Sequence, residues 1–170
     1  MMAVKNRRDG VLTVKDGAAN SQVVTFMESD FTYNEPVEGD PIPIIDRQGY
    51  LDHLKLGDPF DGWGQVSFSL KYVNKTIRNA LVSPATTTAV TNDQIPSVYK
   101  CVNLEFVLYD EAGSPEEKHT LFNVWFNPGN VRYSEGDEYS TLSATGTIFG
   151  KYDATAENDR RFVLVEDVST

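Results

Sequence analysis

The clearest pattern in the chain is a two-residue alternation that begins after residue 64. In Gln65-Val66-Ser67-Phe68-Ser69-Leu70-Lys71-Tyr72 polar and apolar residues alternate without a break, the period of a strand with one buried face. Residues 99–109 (YKCVNLEFVLY) place Val102, Leu104, Phe106 and Leu108 on one side. Residues 118–126 (KHTLFNVWF) set Thr120, Phe122, Val124 and Phe126 against Leu121 and Trp125. Residues 139–149 (YSTLSATGTIF) set Leu142, Ala144, Gly146 and Ile148 against Thr141, Ser143, Thr145 and Thr147. RFVLV at 161–165 closes the series, and a pair of strands over 11–15 and 22–26 with Asp16-Gly17 between them opens it.

Only residues 76–82 (TIRNALV) predict a helix, stopped by Ser83-Pro84. Asn127-Pro128-Gly129-Asn130 is a turn, residues 110–117 (DEAGSPEE) are a second, and residues 85–97 are a loop. Seven or eight short strands with one helix predict an all-β chain. The expected architecture is an antiparallel β-sandwich or barrel with one short α-helix and long loops, formed by a single domain over 1–170. Parallel α/β folds need several crossover helices and are excluded.

Residues 28–61 have a different texture. They carry Pro36, Pro41, Pro43 and Pro59, and nine acids against two bases, a net of −7. The reading here is a long acidic loop over 28–63, with a short strand at Ile42 to Asp46 and a helical turn near Tyr50 to Leu56. So long an excursion is usually functional. Its apolar residues, among them Ile42, Ile44, Tyr50, Leu54, Phe60 and Trp63, need burial against this domain or a neighbouring subunit. The basic arm Lys5, Arg7 and Arg8 has the opposite charge and is a candidate partner for such a loop on an adjacent copy.

The chain has 170 residues, 25 acids, 15 bases and a formal charge of −10. That balance opposes tight binding to a nucleic-acid backbone or to anionic lipid. The single cysteine, Cys101, excludes an internal disulfide and a Cys-rich zinc site. His53 and His119 lack metal-ligand spacing and read as surface or strand-edge imidazoles. The N-terminal stretch has no apolar core of a secretory signal, and no segment approaches the ~18 apolar residues of a membrane span. The expectation is a soluble protein made in a cytoplasm.

Catalytic motifs are missing: no G-x-S-x-G, P-loop or H-E-x-x-H. The acid pairs Asp110-Glu111, Glu116-Glu117 and Asp137-Glu138 fall in turns, where they read as solvated rather than as a glycosidase pair. Asp30, Glu35, Glu38 and Asp40 lack calcium-loop spacing. No cofactor or metal is expected. The polar sides of the strands say more. They hold Gln65, Ser67, Ser69, Lys71, Asn103, Glu105, Asn123, Thr141, Ser143, Thr145 and Thr147, of which only Lys71 and Glu105 are charged. That composition fits a solvent face chosen for β-propensity or the wall of a wide channel.

The order of parts resembles the tail tube (major tail) proteins of long-tailed bacteriophages. The likeness runs through GVLTVKDG…QVVTF, ESDFTYNEP, GDPFDGWGQVSFSLKY, the helix near Thr76 to Leu81 and SEGDEYSTLSATGTIFGKY. It implies a structural virion protein without catalysis, made in the host cytoplasm and located in the tail. Its copies would form stacked hexameric rings, each adding a sheet to a continuous inner barrel, with loops and the N-terminal arm locking rings together. Its other partners would be further tail proteins and DNA passing without adhesion, with no membrane. In that reading Gln65, Ser67, Ser69, Lys71, Asn103, Glu105, Thr141, Ser143, Thr145 and Thr147 face the lumen, an assignment that follows from strand alternation alone. Lys5, Arg7, Arg8, Ile42, Ile44, Tyr50, Leu54, Phe60 and Trp63 are inter-subunit candidates from their charge and their need for burial. Two alternatives stand beside it: a carbohydrate-binding or adhesin module using Trp63 and Trp125, and a tail terminator or adaptor ring.

Overall fold

The computed structural model describes residues 10–16, 21–24, 30–38, 42–46, 49–54, 60–61, 63–71, 75–84, 100–110, 112–152 and 160–168. Fifteen strands and one α-helix follow in chain order: β1 (Gly10–Lys15), β2 (Ser21–Val24), β3 (Thr32–Asn34), β4 (Val37–Glu38), β5 (Ile42–Asp46), β6 (Gly49–Leu54), β7 (Phe60–Asp61), β8 (Gly64–Lys71), α1 (Lys75–Val82), β9 (Val102–Tyr109), β10 (Pro115–Trp125), β11 (Val131–Glu135), β12 (Ser140–Ile148), β13 (Lys151–Tyr152), β14 (Arg160–Arg161) and β15 (Val163–Asp167). Every pairing among the described residues is antiparallel. The all-β class with one short helix is what the alternation predicts.

Nine strands form one sheet that divides into two halves. The first half runs β2-β1-β9-β10-β15, the second β3-β8-β12-β11, and the end of β10 hands over to the end of β12 through Val124↔Ile148 and Trp125↔Thr147. Both halves turn their apolar sides into one core: Leu12, Val14, Leu104 and Leu121 from the first, Val66, Phe68, Leu70, Leu142, Ala144 and Ile148 from the second. Rings bridge them, with Phe31 stacked on Phe106 at 4.8 Å and Phe68 edge-on to Phe126 at 6.0 Å. Helix α1 packs on β1, β2 and β11, burying Leu81 and part-burying Ile77 and Ala80 against the same core.

The bend between the halves sits in β10 and corrects the predicted faces there. The β9–β10 register shifts between Leu121 and Val124, so Leu121 and Val124 are both fully buried and Phe122 leaves the core side. Asn123 takes φ 53°, the left-handed region that Asn tolerates. It is 1% exposed and not on a polar strand face. Its N–H donates to Asn103 Oδ1 at 3.0 Å and its Nδ2 donates to the Gly150 carbonyl at 2.7 Å. A bulge inserts one residue and turns the strand. Gly146 on β12 crosses close above this point: a Cβ there would stand 2.8 Å from both the Phe126 ring and Val124 Cγ1.

The acidic excursion is paired, not a bare loop. β3 pairs with β8 (Thr32↔Ser67), β4 with β7 (Val37↔Asp61) and β5 with β6 (Ile42↔Leu54). These pairings nest one inside the next, so the described strands β3 to β8 make a hairpin-like arm whose outermost pair, β3 and β8, belongs to the second half-sheet. The strand at Ile42–Asp46 stands as expected, whereas Gly49–Leu54 is strand and not a helical turn. Alternation with β5 across a hairpin outweighs the weak helical pattern of YLDHL. Glu116 and Glu117 likewise lie on β10 and not in the preceding turn.

Candidate functional site: the polar face of the second half-sheet

Strand alternation dictates the face. With Val66, Phe68, Leu70, Leu142 and Ala144 in the core, their neighbours must point the other way. Cross-strand pairing sets them in rows: Asn34, Gln65 and Thr147; Thr32, Ser67 and Thr145; Ser69, Ser143 and Arg132; Lys71, Thr141 and Ser134. Of these twelve, eight are hydroxyl residues, two are amides, and two, Lys71 and Arg132, are cations. No carboxylate stands in those rows.

Neighbouring hydroxyls satisfy one another. Thr32 Oγ1 and Ser67 Oγ lie 2.8 Å apart, and Ser69 Oγ and Ser143 Oγ 3.3 Å apart. Lys71 Nζ sits 4.0 Å above the centroid of the Tyr139 ring, a cation–π contact that places the ammonium without neutralising it. At the other end a shallow open hollow of about 440 Å³ is lined by Thr32, Tyr33, Asn34, Gln65, Val66, Ser67 and Thr145.

The expected lumen residues therefore divide. Gln65, Ser67, Ser69, Lys71, Thr141, Ser143, Thr145 and Thr147 share this face. Asn103 and Glu105 do not. They lie on β9, on the outer side of the first half-sheet, where Glu105 Oε1 pairs with Lys15 Nζ at 2.6 Å. Sequence reading missed Arg132, because β11 (VRYSE) is short and shows no clear alternation. Of the expected inter-subunit residues, Ile42, Ile44, Tyr50, Leu54 and Phe60 fall on β5, β6 and β7 of the arm. Trp63 is 42% exposed at the arm's root, edge-on to Phe149 at 5.1 Å. Lys5, Arg7 and Arg8 lie outside the described residues. Trp125 is half-buried and stacks on Phe149 at 6.4 Å, so its ring packs within this aromatic group.

His119 also proves to be placed, not idle. Its Nδ1 lies 2.7 Å from Tyr33 Oη and its Nε2 2.6 Å from Glu117 Oε1. Glu117 and His119 are two apart on β10 and share a side of the strand, while Tyr33 comes from the arm's root on β3. Burial pushes the Tyr33 phenol above its ordinary 10.0, helped by the Glu35 and Glu117 carboxylates. On the outer side of the first half-sheet, the Glu166 hydrogen bond holds Lys118 above its ordinary value. Among the described residues no three His, Cys, Asp or Glu side chains gather as a metal site, and no helix is long and apolar enough to cross a membrane.

The described residues thus form a two-halved antiparallel sheet with one helix and a hairpin arm. Among solved structures, the chain is similar to the tube-terminating cap of the anti-feeding prophage, with a TM-score of 0.51, 10% identity, and coverage of 99% of this chain and 94% of that one. It is also similar to a chain of the anti-feeding prophage baseplate (TM-score 0.49, 13% identity, 100% and 99% covered). A third match is a chain of the sheath–tube complex of an extracellular contractile injection system (0.49, 14%, 97% and 93%). No family model and no curated protein sequence matches. The likeness to the cap defines the fold.

Proposed function

We propose that the chain is a structural, non-catalytic subunit of a phage-type tail particle, closing with copies of itself into hexameric rings around a channel. The observation that carries this reading is the second half-sheet. It has four antiparallel strands, so its outer strands, β3 and β11, run in opposite directions. A head-to-tail neighbour that sets its β3 beside this β11 thus continues an antiparallel sheet. Repetition around an axis closes the sheet and leaves no free edge. One side of that sheet is already buried in each copy's own core, so the hydroxyl-rich side becomes the wall of the enclosed channel. In this reading the arm over 28–63 and the basic residues Lys5, Arg7 and Arg8 hold successive rings, and DNA travels inside. Further tail proteins would join the ends.

The likeness to a tube-terminating cap supports a second form of the same reading, a ring that ends a tube. Negative-stain microscopy and sedimentation of the purified chain test both. Stacked rings support a tube subunit and single rings a terminator, whereas a monomer at every concentration overturns the ring. A Thr32→Lys, Asn34→Lys double substitution sets like charge opposite a neighbour's Arg132 across the joint. It should abolish rings while leaving the melting temperature within a few degrees.

A further inference from the structure

We infer that Lys71 and Arg132 form a weak phosphate-contact point on the polar face, and that its partner is the sugar–phosphate backbone of a nucleic-acid strand lying along that face. This deepens the channel reading and rests on it. The chain as a whole carries −10, yet the twelve positions of this face hold two cations and no carboxylate. The acids nearest in sequence stand elsewhere. Glu135 alternates with Ser134 to the opposite side of β11, and Asp137 and Glu138 belong to the turn beyond the strand ends.

Lys71 and Arg132 flank β12 from its two sides, Lys71 across from Thr141 and Arg132 across from Ser143. Their backbones are ~12 Å apart by strand spacing and rise. Around them lie the hydroxyls of Thr141, Ser143 and Ser69; Ser69 and Ser143 share one hydrogen bond, which leaves Thr141 and one of that pair to donate to a phosphate oxygen. Lys71 is held over Tyr139 by its cation–π contact, and both cations are exposed. By contrast, Lys15 and Lys118 on the other half-sheet are already engaged by Glu105 and Glu166. Two cations amid uncharged hydroxyls grip a polyanion loosely and without sequence preference, which suits a strand that must move.

The test is fluorescence anisotropy of a short labelled oligothymidylate with the full chain, whatever its state of assembly. Binding should appear at low salt and weaken about 25-fold between about 20 and 200 mM salt, from a slope of roughly −0.7 per neutralised phosphate on single strands. Lys71→Gln with Arg132→Gln should remove at least tenfold of the low-salt affinity. Lys71→Arg should retain it, and Lys15→Gln with Lys118→Gln should leave it unchanged. Other cation groups compete, among them Lys5, Arg7 and Arg8 of the arm, and Lys151, Arg160 and Arg161, which the β13–β14 pairing brings together. Binding that survives K71Q/R132Q but vanishes in K5Q/R7Q/R8Q or in K151Q/R160Q/R161Q overturns the inference, as does an absence of binding at low salt. Ring formation is read separately by microscopy, so rings without binding defeat this inference alone. Binding without rings defeats the channel reading while leaving the contact intact.

Discussion

The outer faces of the two half-sheets are built by the same alternation but spend their charge differently. On the first, cations and acids face each other across strands: Lys15 on β1 meets Glu105 on β9 at 2.6 Å, and Lys118 on β10 meets Glu166 on β15 at 2.7 Å. On the second, Lys71 and Arg132 stand among hydroxyls. The first half has five strands, so its edges β2 and β15 run the same way, and a head-to-tail neighbour would meet it in parallel. The second has four, and its edges oppose. One face is neutralised within the subunit. The other keeps two cations among hydroxyls with no carboxylate in its rows, and its strand count suits the proposed closure.

The comparison depends on both halves sharing one core, so the largest expected effect comes from opening it. Leu121 is fully buried where β10 leaves the first half for the second. Leu121→Ala should cost ~3 kcal/mol of unfolding free energy, read by urea titration. A loss below ~1 kcal/mol would mean that the halves do not pack as one body. The crossing of β12 over β10 should be nearly as sensitive. Gly146→Val puts a side chain where Phe126 and Val124 already stand, and overpacking of this kind costs ~2 kcal/mol. If the variant is as stable as the parent, the junction is looser than the register implies.

Much of this architecture was legible because period-2 patterns survive wherever a strand is straight and half-buried. β8 and β12 are the cleanest cases, and their buried and exposed positions match the alternation residue for residue. Legibility failed where one residue changes the count. Asn123 interrupts the apolar run LFNVWF, and that lone polar residue was the available sign of the bulge that moves Phe122 off the core side. It failed again in the arm, where prolines and glycines conceal short strands that only pairing reveals. The polar face was half legible. Its hydroxyl character shows in the sequence, whereas the separation of Asn103 and Glu105 from it depends on which strands are neighbours. His119 gave a faint sign, an acid two residues before it on the same strand, but its partner Tyr33 is 86 residues away.

That Tyr33–His119–Glu117 chain ties the arm's root to the first half-sheet and sharpens the comparison at the join. Tyr33→Phe removes one hydrogen bond from a half-buried site and should cost ~1 kcal/mol. Amide exchange should quicken at β3 and at the facing residues of β8, and hardly at all in β1 or β9. The pH dependence has a fixed sign. Because the folded state holds Tyr33 above 10.0, an unfolded chain ionises first as pH rises, so this contribution is intact below about 10 and is lost above it. Lys118, also raised, adds in the same direction. The parent should therefore lose stability above about pH 10 more steeply than Tyr33→Phe. Identical slopes would show that the phenol is not shielded.

The smallest effect tests the ion pairs that neutralise the first half-sheet. Lys15 and Glu105 are 45% and 22% exposed in their side chains, and such surface pairs contribute between about 0 and 1 kcal/mol. Glu105→Gln should thus barely move the melting temperature, yet it frees Lys15 as a cation on the first half-sheet. If charge pairing is what distinguishes the two faces, this variant should bind the same oligothymidylate measurably better than the parent at low salt. The gain should disappear in E105Q/K15Q. Equal binding by E105Q and the parent would mean that Lys15 was never masked, and the contrast between the faces would then rest on strand count and hydroxyl content alone.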